Sequence, residues 1–194
     1  MYLADEQGWL ATFEFDEAVR ADAAETVGCL RGLGLDVKLY SGDHPAAVQR
    51  VARELGIDDA RGACSPDDKL QLLRALQAQG LRVGMVGDGM NDGPILAAAT
   101  ASFAMGKGVP LAQARADFVV QGERLRVVAD AVQMARRCMR IVRQNLWWAV
   151  IYNLVAIPLA ITGLLTAWLA GLGMALSSLL VVANAARLVR QSAA

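Results

Sequence analysis

Gly87-Asp88-Gly89-Met90-Asn91-Asp92-Gly93-Pro94 decides how this chain is read. An apolar strand candidate, Arg82-Val83-Gly84-Met85-Val86, runs into it, and a helix candidate, Pro94-Ile95-Leu96-Ala97-Ala98-Ala99, runs out of it. Two carboxylates and an amide therefore sit on a glycine-flexed loop at the carboxyl end of a strand, the edge at which open α/β sheets bind ligands. Hard oxygen donors at this spacing suit Mg²⁺, which usually arrives with a phosphate. Asp, Asn and Gly are also ordinary turn residues. The plain alternative is thus a polar strand-to-helix turn with a helix cap.

Outward from that loop, strand and helix patterns alternate. Trp9–Phe15 alternates as a strand does, Ala21–Leu33 reads as a helix stopped by Gly34, and Val37–Tyr40 is a short strand leading into Ser41-Gly42-Asp43. Ala46–Leu55 is a helix closed by Gly56. Pro66–Gln79 is another, with Ser65 at the cap, Pro66 in first position and Asp68 three residues after the cap, the arrangement of a capping box. Val83–Val86, Ser102–Met105 and Phe118–Val120 are further strands, and Glu123–Arg143 is a long helix. Such alternation implies a parallel sheet covered on both faces. Ser41-Gly42-Asp43 and Gly87–Asp92 then share one sheet edge, and Lys69, one turn into a capped helix, can reach the same point. Hydroxyl, lysine, carboxylate and Mg²⁺ make a clamp that neutralises a phosphoryl group in transfer. Taken singly, Ser41-Gly42 is also consistent with a turn and Lys69 with a solvated surface residue.

The 194 residues are 55% hydrophobic and carry no formal net charge, but charge is unevenly placed. Charged side chains are scattered through Met1–Arg143, and then no Asp, Glu, Lys, Arg or His occurs from Gln144 to Ala186. That gap is twice the ~20 residues one membrane helix needs. It predicts two spans, Leu146–Leu165 and Ala167–Ala186, joined by a short turn; a helical hairpin buried in a soluble core is the alternative. Trp147, Trp148 and Trp168 fall near the predicted span ends, as an aromatic belt requires. Arg136, Arg137, Arg140 and Arg143 precede the first span, and Arg187 and Arg190 follow the second. Both basic flanks are expected on the cytoplasmic side. No basic n-region opens the chain, so no signal peptide is expected. The expected boundaries are a soluble domain over 1–122, a connecting helix over 123–145 and a hairpin with a short tail over 146–190. Cys29, Cys64 and Cys138 are too widely spaced for a zinc site or a disulfide framework, and His44 reads as a surface residue.

The hinge string resembles that of the P-type ATPases, Gly-Asp-Gly-x-Asn-Asp-x-Pro. Ser41-Gly42-Asp43 resembles their Thr-Gly-Asp with Ser in place of Thr, and Pro66-Asp67-Asp68-Lys69 resembles the segment carrying their phosphate-binding lysine. Ala104-Met105-Gly106 through Ala116-Asp117 resembles the stretch after the hinge. The resemblance implies an α/β haloacid-dehalogenase-like, Rossmann-like phosphorylation-domain portion followed by a two-helix transmembrane hairpin. It further implies that Ser41, with Gly42 and Asp43, and Lys69 contact an aspartyl phosphate. Asp88, flanked by Gly87 and Gly89, would bind Mg²⁺, and Asn91 and Asp92 would shape the phosphate pocket. The nucleophile string of that family, Asp-Lys-Thr-Gly-Thr, does not occur here. Asp16, in Glu14-Phe15-Asp16-Glu17, resembles instead the strand after the nucleotide domain. Thr-Gly-Glu and Cys-Pro-Cys are also absent. The chain is therefore expected to be the C-terminal quarter of a pump, inactive alone.

In the predicted spans, Tyr152-Asn153 and Met174-Ala175-Leu176-Ser177-Ser178 are polar or soft groups at mid-depth. Such groups tend to face other helices or a pathway, although Ser and Asn also hold membrane helices together and Met is an ordinary apolar filler. A thioether favours Cu(I), and no carboxylate is present in either span for a hard ion. Tyr-Asn with Met-x-x-Ser-Ser resembles the copper subgroup of the heavy-metal (type IB) ATPases, Val181–Leu188 resembles that subgroup's chain end, and the Asn145–Leu159 and Trp168–Arg187 stretches look most like the pumps that supply cytochrome oxidase assembly. The resemblance implies ATP as substrate of the full-length pump and Cu(I) as cargo, bound by Tyr152, Asn153, Met174, Ser177 and Ser178. The expected partners are the lipid bilayer, the remaining N-terminal part of the pump and a copper chaperone or oxidase-assembly factor, with no nucleic acid. The expected location is the inner or plasma membrane, multi-pass, with the soluble domain cytoplasmic. A pump for another heavy metal and a non-catalytic, membrane-anchored binding or regulatory module are the alternatives.

Overall fold

The structure, a computed structural model, describes residues 2–6, 8–12, 18–87, 92–106 and 114–192. It divides into two compact units, Met1–Ala129 and Asp130–Ala194.

The first unit opens with an antiparallel hairpin, β1 (Tyr2–Asp5) and β2 (Gly8–Thr12). Then follow α1 (Ala23–Gly32), β3 (Leu39–Tyr40), α2 (Pro45–Leu55), β4 (Ala60–Arg61), α3 (Pro66–Ala78), β5 (Gly84–Gly87), α4 (Gly93–Ala98), β6 (Ala101–Met105) and β7 (Phe118–Val120). β3 pairs with β4, and β5, β6 and β7 form a three-stranded sheet, all parallel. Parallel neighbours need crossover connections, and α2 lies between β3 and β4, and α4 between β5 and β6, as that requires. One apolar cluster forms where Val27 of α1, Ala52 of α2 and Ile57 meet Val37, Leu39, Leu55 and Ala60. Ile95, Leu96, Phe103, Ala104 and Val120 are buried along α4 and the β5-β6-β7 sheet, and the Phe103 and Phe118 rings stack at 5.0 Å across the β6–β7 ladder.

Local chemistry explains the element ends. α2 starts at Pro45, capped by His44, whose Nδ1 accepts the Ala46 N–H at 3.3 Å. It stops at Gly56, whose φ of 67° suits glycine. α3 carries the expected capping box: the Asp68 N–H donates to Ser65 Oγ at 3.1 Å, and the Ser65 N–H donates to Asp68 Oδ2 at 2.9 Å. The Ser65 hydroxyl and N–H hold the Asp68 carboxyl below its ordinary range. Two strands were not legible in advance. β1 lies outside the expected Trp9–Phe15 strand, of which β2 covers the first part; 13–17 lie outside the described residues. β4 is two residues long, too short for any alternation to show. It is created by its partner, since the Leu39 N–H donates to Asp59 O and the Ser41 N–H to Arg61 O, both at 3.0 Å.

α5 runs without interruption over Arg126–Ile161, so the expected long helix continues directly into the first apolar stretch. The reason is compositional: no Gly or Pro occurs between Arg126 and Ile157. Its first turn is tied to α1 within the first unit. The Arg126 N–H donates to Asp22 Oδ2 at 2.9 Å, and the Arg126 guanidinium pairs with Glu25.

In the second unit α5 turns back at Gly163 into α6 (Ala167–Ser192). Both helices are long and apolar enough to cross a membrane, and none of their apolar stretches is buried. A soluble core helix would be covered, and surfaces such as Leu154 (72% exposed) and Ile161 (81%) are not. The half-buried residues along the seam are Ile141, Asn145, Ala149, Tyr152 and Ala156 on α5, and Ala170, Gly173, Ser177, Val181, Asn184 and Leu188 on α6. Their spacing of three or four is that of one helix face.

Candidate functional site

The parallel arrangement brings loop ends and one helix start into a connected set. Ser41-Gly42-Asp43 follows β3 directly. There the Ser41 hydroxyl donates to Asp43 Oδ2 at 2.6 Å and accepts the Asp43 N–H at 3.3 Å. This is a local ST-turn that pins the hydroxyl. The segment after β4 braces it from outside: the Ala63 N–H donates to Asp43 O at 2.7 Å and the Cys64 N–H to Ser41 O at 2.9 Å. A Cβ on Gly42 would lie 3.5 Å from Cys64 O, an ordinary contact, whereas one on Gly62 would lie 2.6 Å from Pro45 Cα. Gly62 therefore permits the close approach of the two loops. No pattern around it in the sequence marks that role.

Cys64 leads straight to Ser65, the cap of α3, and so couples the Ser41 loop to the helix that carries Lys69. Lys69 Nζ reaches Asp92 Oδ1 at 3.1 Å. Both side chains are largely covered, 16% and 12% exposed, so this is a well-screened-from-water pair rather than a surface ion pair. Asp92 stands at the start of α4 but makes no side-chain cap to that helix; its carboxylate is turned to Lys69 instead. Gly87, the last residue of β5, lies beneath it. A Cβ there would meet Asp92 Oδ2 at 2.9 Å and Asp92 Cγ at 3.2 Å. The structure thus joins Ser41, Gly42 and Asp43 to the start of α3, and Lys69 to Asp92 and Gly87. Asp88, Gly89 and Asn91 lie outside the described residues.

Asp92 is the hard-oxygen donor that the described residues place at the end of β5, and no group of three His, Cys, Asp or Glu occurs among the described residues. Mg²⁺ takes one or two carboxylates and completes its shell with water and phosphate oxygens. Among the described residues, a lone carboxylate beside a lysine fits an ion shared with a phosphate better than an all-protein cage. Elsewhere in the unit, Lys38 donates to Asp59 at 2.8 Å and pairs with Asp36 at 2.9 Å. That partnership raises the Lys38 amine and lowers the Asp59 carboxyl from their ordinary ranges. Burial, with the bond to Asp59, raises the Tyr40 phenol. This cluster fastens β3 to β4 just before the Ser41 loop. Ser102 and Asp117 do similar work between β6 and β7, with the Ser102 N–H and hydroxyl both donating to Asp117 Oδ2 at 2.9 Å.

In the second unit the five candidate cargo residues do not gather at one point. Tyr152 and Ser177 lie on the seam: the Tyr152 hydroxyl is 3.0 Å from where a Gly173 Cβ would be, and Ser177 Oγ accepts the Trp148 indole N–H at 3.1 Å. Met174 is 64% exposed, Ser178 is exposed, and exposed Asn153 donates back to Ala149 O at 2.8 Å. Helix phase explains the split. Ser177 faces α5, and Met174 and Ser178, three residues before and one after it, flank that face. The polar residues that do close the seam, Asn145 and Asn184, joined at 2.8 Å, are not among the candidate cargo residues. They sit near the two ends of the charge-free stretch, where polar residues are unremarked.

The parallel strands, the loops at their carboxyl ends and the helices between them form an α/β domain with the Lys69–Asp92 pair at one sheet edge. The haloacid dehalogenase-like hydrolase family matches at residues 4–100 and again at 70–132, and the chain belongs to that family. It is also similar over nearly its whole length to P-type ATPases. The nitrogen fixation protein FixI of Rhizobium leguminosarum bv. viciae is 42% identical over 179 residues, covering 92% of this chain and 24% of that protein. A copper-exporting P-type ATPase of Mycobacterium leprae is 41% identical over 172 residues, covering 89% and 22%. The crystal structure of a zinc-transporting PIB-type ATPase in the E2.Pi state superposes with a TM-score of 0.83 at 34% identity, over 89% of this chain and 28% of that one. The chain spans about a quarter of the length of the curated relatives it matches. Its architecture is a haloacid-dehalogenase-like α/β portion followed by a two-helix hairpin fit to cross a membrane.

Proposed function

We propose that this chain supplies part of the phosphoryl-handling site, and two membrane helices, of an ATP-driven heavy-metal pump whose cargo is Cu(I). The observation that carries the reading is the covered Lys69–Asp92 pair at the carboxyl end of β5. Asp92 would cap α4 if this were a mere turn, and it does not. A lysine already held near a carboxylate-rich loop can accept a phosphoryl oxygen as a second partner without first being ordered. Ser41, once its hydroxyl leaves Asp43, adds a neutral donor. Asp88 would hold Mg²⁺ together with the phosphate, and the ion would offset the repulsion between anions there. The acceptor carboxylate is not among Ser41, Asp43, Lys69 or Asp92 in this reading. It belongs to an Asp-Lys-Thr-Gly-Thr string, which these 194 residues do not contain. β3 and β5 share no ladder among the described residues, which leaves an edge on each for a further parallel strand.

Cargo selection rests on softness. From Gln144 to Ala186 there is no ionisable carboxylate, and Met174 is the thioether at mid-helix. Its exposed position suits a site completed by other helices of the pump. The bilayer, the other parts of the pump and a copper chaperone or oxidase-assembly factor are the partners of this reading, with the first unit cytoplasmic. The resemblance to a zinc-transporting structure supports a second cargo, which the same experiment separates. These residues are exchanged for the matching part of a copper-exporting P-type ATPase. Cu(I)-stimulated ATP hydrolysis should survive the exchange, fall by about a hundredfold or more in Lys69→Met or Asp88→Ala, and fall in Met174→Leu with Zn²⁺ giving no stimulation. Undiminished turnover in Lys69→Met overturns the phosphoryl site, and Zn²⁺ stimulation without Cu(I) stimulation overturns the cargo.

A further inference from the structure

At one end of the hairpin, Arg137, Arg140, Ile141, Gln144 and Arg187 surround a cavity of about 390 Å³. Three of the five lining residues are guanidinium groups. No Asp or Glu occurs between Asp130 and Arg187. Arg187 is oriented rather than loose: its guanidinium donates to Asn184 Oδ1 at 3.2 Å. Asn184 in turn donates to Asn145 Oδ1 at 2.8 Å and to Gln144 Oε1 at 3.3 Å. The polar end of the seam therefore holds Arg187 of α6 beside Gln144 of α5. Immediately beyond begins the charge-free stretch, with Leu146 64% and Trp147 66% exposed. The cavity sits where the basic stretches of the two helices meet an apolar, aromatic-edged surface.

Those observations together specify a ligand with an anionic head and an apolar tail. Guanidinium forks match phosphate oxygens two at a time, and the volume lies within the roughly 300–1,000 Å³ of small-ligand sites. Basic pockets between membrane helices are suited to anionic headgroups. A free phosphate would satisfy the arginines but would leave the adjoining apolar side chains without a role. We propose that this cavity binds the phosphate of an anionic phospholipid, whose acyl chains lie along the exposed face beginning at Leu146 and Trp147. The assignment rests on the reading of α5 and α6 as membrane helices. A lipid bound there bridges the two helices at their charged ends and fixes the depth of the hairpin.

The test is native mass spectrometry of the full chain in a non-ionic detergent supplied with equal phosphatidylglycerol and phosphatidylcholine. The chain should retain phosphatidylglycerol preferentially. Each arginine near a lipid surface contributes roughly fivefold, so R137Q/R140Q/R187Q should lower that retention by at least tenfold. R82Q, in the first unit, should leave it unchanged. R137K/R140K/R187K keeps the charge without the fork and should fall between. Should the glutamine variant misfold, the wild-type preference and its loss to raised salt still decide the matter. Equal retention of the two lipids by a wild-type chain that resists carbonate extraction from vesicles overturns the site and leaves the hairpin reading standing. Displacement of the lipid by millimolar inorganic phosphate overturns the lipid in favour of a free anion. A chain that carbonate strips from vesicles overturns the membrane reading and the site with it.

Discussion

Gly62→Ala is expected to loosen the Ser41 loop, although Gly62 is not itself a candidate site residue. A Cβ at 62 would stand 2.6 Å from Pro45 Cα and 2.9 Å from both Asp43 O and Pro45 N. All three are backbone atoms, so no rotamer change relieves the clash. Carbon atoms rest comfortably at about 3.5–4.0 Å, and the two loops must therefore part by about 1 Å. Overpacking of this kind costs about 1–3 kcal/mol. The loss falls first on the two bonds that brace the loop, Ala63 N–H to Asp43 O and Cys64 N–H to Ser41 O. At 1.4 kcal/mol per factor of ten, amide exchange at Ala63 and Cys64 should quicken by about 5- to 150-fold. In the pump exchange described above, turnover should fall as well, because a 1 Å misplacement is worth up to about a hundredfold. Gly28→Ala is the control of opposite sign: its Cβ meets nothing within 4 Å in mid-α1, and it should stabilise by about 0.5–1 kcal/mol. Exchange at Ala63 and Cys64 within twofold of wild type in Gly62→Ala would refute the close-approach argument.

Three further outcomes are expected. Gly87→Ala should drive the Asp92 side chain aside and break its bond to Lys69, destabilising the first unit by about 1–3 kcal/mol; an unshifted denaturation midpoint would contradict this. The Lys38–Asp59 cluster sets a pH window. The lowered Asp59 carboxyl contributes stability above its unfolded value of about 3.9, lost as pH falls further, and the raised Lys38 amine contributes stability below about 10.4, lost as pH rises through its folded value. Denaturation midpoints followed against pH should therefore fall at both extremes, and Asp59→Asn should flatten both limbs; a variant with unchanged limbs would show that the cluster is not linked to folding. Asn184→Leu removes bonds to Asn145 and Gln144. At about 0.6 kcal/mol each in a membrane, the hairpin should lose about 1 kcal/mol, read as a lower detergent-denaturation midpoint by energy transfer between labelled helices.

What could be read in advance depended on whether the deciding interaction was local. The capping box at Ser65 and Asp68, the stop at Gly56 and the charge-free run after Arg143 are written within a few neighbouring residues or in plain composition, and each matches the folded chain. The Lys69–Asp92 pair was only half legible. Motif order placed both residues at one sheet edge, yet their direct bond depends on α3 packing beside α4, fastened by Gln77 Nε2 donating to Ala98 O at 2.9 Å. Gly62 was invisible, since nothing in Arg61-Gly62-Ala63 announces that Pro45 will lie against it. Which residues line the seam was not legible for a related reason. Met174, Ser177 and Ser178 are near neighbours on a helix, but which of them turns to α5 is set by the phase of the pairing, which Gly173 under Tyr152 and Asn145 opposite Asn184 determine.

The Asn145–Asn184 and Trp148–Ser177 bonds bear on the order in which such a protein is built. A helix entering hydrocarbon alone carries its amides and hydroxyls unpaired, and each is a cost until a partner arrives. Here α5 and α6 emerge consecutively and are joined by a short turn at Gly163, so each provides the other's partners as soon as both are made. The hairpin can close during synthesis, with its polar groups consumed internally. What remains outward at mid-depth, Met174, Ser178 and Asn153, is then displayed on a finished surface. Later helix–helix recognition would select for those groups on a pre-assembled pair, not on two single strands of apolar sequence, and an error in closing the hairpin would be inherited by every contact made afterwards.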